Sequence, residues 1–147
     1  MAVTKLDVIN AINGLLAKEF SNATVYKNRE PVEFIRPAFL IMAPLEKTKA
    51  AAKNLMSSTL YLTITCFAPV DDYGNSDADE LAEMQNEAIA LFRQGYIKVG
   101  NRAIKVSTSS GGQDMDRAWV DVTCDYHTPI EEPQSLPMMQ EIFTNYQ

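Results

Sequence analysis

The chain holds 147 residues, 46% of them hydrophobic and 22% charged, the balance of one ordinary globular domain. That composition excludes collagenous, disordered and disulfide-scaffold classes, and a domain of this size buries roughly 68–70% of its unfolded surface without needing a staple. The net charge of −6 disfavours sequence-independent nucleic-acid binding, which wants a basic surplus.

Thr4-Lys5-Leu6-Asp7 has the form of a capping box, a hydroxyl followed three residues later by an acid. Leu6, Ile9, Ile12, Leu16 and Phe20 follow at three- and four-residue steps, which predicts an amphipathic helix over about residues 5–20. Ala23 to Tyr26 reads as a short strand and Asn28 to Pro31 as a turn. Pro37 through Ala43 is apolar without alternation, as suits a strand covered on both faces. Glu46 to Ser57, rich in Lys and Ala, reads as a long loop, and long loops tend to be functional or mobile. In residues 58–68, Leu60, Leu62, Ile64 and Cys66 alternate with Tyr61, Thr63, Thr65 and Phe67, a strand with one face in the core.

Pro69 to Ser76 is dense in turn residues. A second helix starts at Ser76 or Asp77, its first turns acidic, as favours the positive end of the dipole. Leu81, Met84, Ala88, Leu91 and Phe92 make its stripe, and Gly95 stops it. Strands follow at 101–108 and 117–127, the second placing Ala118, Val120, Val122, Cys124 and Tyr126 opposite Trp119, Asp121, Thr123 and Asp125. Ser107 to Asp116, with Gly111-Gly112, reads as the loop between them. The expected fold is α+β: a mainly antiparallel sheet of four to five strands with two helices packed on one face, in the order α-β-β-β-α-β-β plus a C-terminal tail. Residues 1–128 form one domain in this reading, and 129–147 a proline-containing extension. That extension carries a small apolar cluster, Met138, Met139, Ile142 and Phe143. It wraps its own domain, docks on a neighbour, or orders on assembly.

Reaction chemistry finds little support. His127 is the one imidazole, and nothing in sequence pairs it with a nucleophile. One histidine and the separated Cys66 and Cys124 match no common zinc spacing, and the cysteines read as buried reduced thiols. The acids from Asp71 to Glu80 put glycine in the wrong register for a calcium loop and read as helix capping. Asp121 and Asp125 share a strand face but sit roughly 13 Å apart, too far for a dyad working on one bond. No phosphate-binding or nucleophile-elbow motif occurs, so no catalytic residue, cofactor or metal is expected. A secretory pattern and an 18-residue apolar run are both missing, which leads to the expectation of a reducing, aqueous compartment and no membrane contact.

The remaining candidates are surfaces. Lys47, Lys49 and Lys53 cluster on the central loop, either simply solvated or meeting an acidic neighbour. Trp119 is an interface anchor or a residue packed in its own domain. Asp121 and Asp125 form a wet sheet face or pair with basic groups of another chain. Residues 1–68 carry 8 basic and 5 acidic side chains, a charge of +3, whereas residues 69–147 carry 5 and 14, a charge of −9. Halves of opposite sign can attract copies of the chain head to tail.

The opening helix Val3 to Ile12, the segments "ATVY" (23–26) and "RPAFLI" (36–41), the strand "LYLTITCFAP" (60–69) and the closing strand "WVDVTCDYHT" (119–128) together resemble a phage tail terminator (tail completion) family of long-tailed phages of Gram-positive bacteria. The resemblance covers about residues 3–128 and rests on element order and texture. It implies a non-enzymatic virion subunit, assembled in the host bacterial cytoplasm. Such a subunit forms a ring, commonly a hexamer, on the head-proximal end of the tail tube. Its implied partners are its own copies, the tube protein and a head-completion or connector protein. The genome would pass through such a ring without a specific nucleic-acid site. The alternative within the same class is another neck or tail-tube structural component, and the rival from another class is a small enzyme or ligand-binding domain using Asp121, Asp125 and His127 in a cleft.

Overall fold

A computed structural model describes residues 3–30, 32–33 and 35–129. The capping box forms: the Thr4 hydroxyl accepts the Asp7 N–H at 3.2 Å, and the Thr4 N–H donates to the Asp7 carboxylate at 3.0 Å. Helix α1 (Lys5–Glu19) then buries Val8, Ile9, Ile12 and Leu16. Leu6, expected in that stripe, is exposed. At 100° per residue it lies about 100° from the centre of the buried arc, and Val8 takes its place.

Strands β1 (Thr24–Lys27), β2 (Ala38–Ala52) and β3 (Leu55–Phe67) follow, then helix α2 (Ala78–Ala90). Asp77 caps α2 by accepting the Asp79 N–H. Strands β4 (Tyr96–Val99), β5 (Arg102–Asp114) and β6 (Arg117–Pro129) complete the chain's described part. One sheet holds all six strands in the order β1-β2-β3-β6-β5-β4. β1 is parallel to β2, and every other pairing is antiparallel.

The expected fold is therefore corrected in strand number, order and character. The sheet has six strands rather than four to five, it is mixed, and the order is α-β-β-β-α-β-β-β. The missed strand is β4, only four residues long, in which Ile97 and Val99 point inward and Tyr96 and Lys98 outward. So short a run offers too little alternation to register. It starts right after Gly95, whose φ of +84° turns the chain out of the helix.

Two expected loops are also strand. β2 and β3 stay paired past the core to a two-residue turn at Lys53-Asn54, where Asn54 takes a φ of +65°. The Lys- and Ala-rich stretch thus forms an exposed arm. Its own residues have low strand propensity, but β3 pairs with β2 on one side and with β6 on the other. Likewise β5 continues to Asp114, with a bulge between Ser110 and Gln113. Gly111-Gly112 marks that bulge rather than a loop.

Both helices cover one face of the sheet. Beneath them lie Phe39 and Ile41 of β2, Leu60 to Cys66 of β3 at alternate positions, and Val120, Val122 and Cys124 of β6. Full burial of such a side chain contributes about 1.5–3 kcal/mol. The opposite face keeps only a small buried patch, Ala38, Leu40 and Phe67, with Tyr26 against it. Thr65 is buried there too, and the other described residues of that outer face are half-buried or exposed.

Candidate functional site

The three lysines stand on the arm. Lys47 is level with Thr59 and Lys49 with Ser57 in the β2–β3 register, while Lys53 sits in the turn. All three are exposed. Lys47 places its ammonium 5.9 Å from the centre of the Tyr61 ring, and none of the three belongs to an ion pair among the described residues. β1 covers the edge of β2 only as far as Ile41, and no other described strand pairs with the edge beyond. Lysine on an open edge discourages stray strand pairing.

Trp119, Asp121 and Asp125 lie on the outer face of β6. The Thr63 hydroxyl donates to Asp121 at 3.3 Å, and the Thr59 hydroxyl donates to Asp125 at 2.8 Å. His127 is exposed two residues further along. These groups are strung out along one strand at steps of about 7 to 13 Å instead of converging on a point. Trp119 is half-buried against the bulge, where its indole lies 3.6 Å from the position a Gly112 side chain would take. Near these groups Met42, Leu45 and Tyr61 expose apolar surface. Met138, Met139, Ile142 and Phe143 lie outside the described residues.

Three features escaped the sequence reading. The first is a charged cluster over the Phe67 ring. Arg36 meets Asp116 at 2.6 Å, Arg117 meets Asp116 at 2.9 Å, and Arg117 also meets Glu30 at 2.7 Å. Both guanidiniums lie over Phe67, at 5.5 and 4.8 Å. The Arg117 hydrogen bond, and then that of Arg36, hold the Asp116 carboxyl below its ordinary value against the opposing effect of burial. Separations of about 80 residues hid this cluster. The second is the Tyr126 hydroxyl, which donates to Glu46. Burial first, and the Glu46 bond next, push that phenol well above its ordinary value.

The third is a groove of about 190 Å³ where α2 passes the end of α1. Phe20 and Phe39, with ring centres 4.7 Å apart, form part of its floor, and Glu80, Glu83 and Glu87 stand around it. α2 carries four acids and no Lys or Arg. The acids were legible as helix-capping residues; their position over an apolar floor was not, because Phe20 and Phe39 come from distant elements.

Burial pushes both thiols, Cys66 and Cys124, up to about 12, so they are protonated and inert at neutral pH. Among the described residues no three His, Cys, Asp or Glu side chains gather closely enough to hold a metal ion. No described helix is long and apolar enough to cross a membrane.

The family model for phage tail terminator protein matches residues 7–135. The chain belongs to the phage tail terminator family. This bears out the resemblance seen in the opening helix, the "RPAFLI" segment and the closing strand. The terminator is thus a structural component of a phage tail. No curated protein matches the chain. Three surface features stand out among the described residues: the basic arm, the outer face of the sheet and the acid-rimmed groove.

Proposed function

We propose that this terminator assembles as a ring of its own copies, a hexamer, on the head-proximal end of the tail tube. There it ends tube polymerisation and presents the surface on which the head connector joins, while the genome passes through the ring. It acts through contacts rather than by turning over a substrate. The observation that carries this reading is the family match over residues 7–135. The charge split of +3 against −9 between residues 1–68 and 69–147 supports a head-to-tail contact between copies, since a heterologous contact closes into a ring when its rotation allows. Assembly takes place in the host cytoplasm before the tail meets the head.

The test uses purified protein alone and mixed with tube protein, imaged by negative stain and weighed by mass photometry. Expected are single rings alone, and tubes bearing one extra ring at one end when mixed. Long polymers of the protein by itself would instead make it a tube subunit. Turnover of a substrate by a solitary molecule would overturn the reading altogether.

A further inference from the structure

Resting on the ring proposed above, we infer that the seam between neighbours is made by the β2–β3 arm of one copy entering the acid-rimmed groove of the next. The lysines Lys49 and Lys53 meet Glu83 and Glu87 there.

Four observations converge on this pairing. The groove is too small for a cofactor or drug-sized ligand, which needs about 300–1,000 Å³; at about 190 Å³ it suits one or two side chains. Its floor is apolar and its rim carboxylate, the surroundings that fit a lysine, whose methylene stem packs on apolar surface while its ammonium reaches a charge. The arm offers such side chains, with the small Ala50, Ala51 and Ala52 between Lys49 and Lys53, so that its tip is slender. Finally, none of these lysines or glutamates has an ion-pair partner within the described residues.

A subunit cannot satisfy its own groove. Phe39, in the floor, is level with Cys66 of β3, whereas Lys49 is level with Ser57. Nine residues of strand separate those levels, about 30 Å, and the turn at Lys53 lies further still. Arm and groove thus occupy opposite ends of one sheet. Two different surfaces at opposite ends make a heterologous contact, the kind that propagates around a ring. The lysines then do more than blunt an open edge: they set which surface the arm enters, because a like-charged surface would repel them.

The test is charge reversal with complementation, read by mass photometry at low salt. Lys49→Glu with Lys53→Glu, and separately Glu83→Lys with Glu87→Lys, each shift the protein from ring to monomer. All four residues are exposed, so both variants keep the circular dichroism of the parent. Mixing the two variants restores the ring mass, because each supplies the surface the other lacks. Rings formed by either variant alone would overturn the seam while leaving the ring itself standing. So would reversed variants that stay monomeric when mixed. A parent protein monomeric at every concentration would remove the ring and the seam together. Loss of tube capping by variants that still form rings would assign the arm to the tube instead, and that too overturns the seam.

Discussion

The Gln85 side-chain amide nitrogen of α2 lies 2.7 Å from the Trp119 carbonyl oxygen of β6, and the same nitrogen lies 3.3 Å from the Gly111 carbonyl of β5. Gln85 is buried, a polar residue on a helix face otherwise turned to the core. The β5 bulge breaks the ladder at Ser110 to Gln113, and backbone groups freed by a bulge need partners. Gln85 supplies one. Replacing it with Leu, of similar size, leaves carbonyls without their donor, which costs about 1–3 kcal/mol. Urea unfolding followed by circular dichroism should show the midpoint falling with an unchanged slope; an unchanged midpoint would mean water serves those carbonyls equally well.

The two bulge glycines should differ. A Cβ on Gly111 would stand 2.8 Å from the Trp119 Cβ and 3.0 Å from its backbone oxygen, whereas a Cβ on Gly112 meets only the edge of the indole at 3.6 Å. Backbone cannot step aside as a flexible side-chain tip can. Gly111→Ala is therefore expected to destabilise by about 1–3 kcal/mol, and Gly112→Ala to lie within about 0.5 kcal/mol of the parent. Thermal melts of the two variants side by side decide it, since equal melting temperatures would remove the close approach as the reason for glycine.

This pair also shows what the sequence could and could not yield. Alternation in residues 58–68 and 117–127 located β3 and β6, because each has one face in the core and the period of two is unbroken there. Gly111-Gly112 looked like a loop because glycine serves turns and bulges alike, and only the partner strand tells them apart. The arm was hidden for a different reason. Lys47, Lys49 and the alanines carry no inward-facing apolar pattern, and pairing with β3 determines their conformation. The acid-rimmed groove and the Arg36–Asp116–Arg117 cluster each join residues from distant elements, which no local window contains. Lys47, Lys49 and Lys53 could be picked out by charge, but not as one end of a sheet whose other end is acidic.

The two cysteines should be silent in the folded protein. Cys66 is fully buried between strands and Cys124 equally so, and desolvation pushes both thiols up to about 12. Thiol reagents react with the thiolate, so at pH 8 native protein should give no fast reaction with a chromogenic disulfide. In urea both thiols should titrate. Rapid reaction of one thiol in native protein would reveal local opening of β3 or β6.

Asp116 should make stability depend on acidity. Its folded carboxyl lies below the ordinary 3.8, chiefly through the Arg117 hydrogen bond and then that of Arg36. A depressed carboxylate contributes stability that is complete above its unfolded value and drains away as pH falls through the folded one. The loss therefore begins near pH 4 and deepens below it. Asp116→Asn keeps the shape but removes the negative charge that Arg36 and Arg117 both meet. About 1.5–3 kcal/mol should be lost at pH 7, the range for hydrogen bonds to charged groups. The gap between variant and parent should narrow as pH falls below 4 and through the lowered folded value, where the parent's own carboxyl takes up its proton. Urea midpoints measured at pH 7, 5, 4 and 3 would trace it, and a constant gap across that series would place the effect of the substitution outside the charge of Asp116.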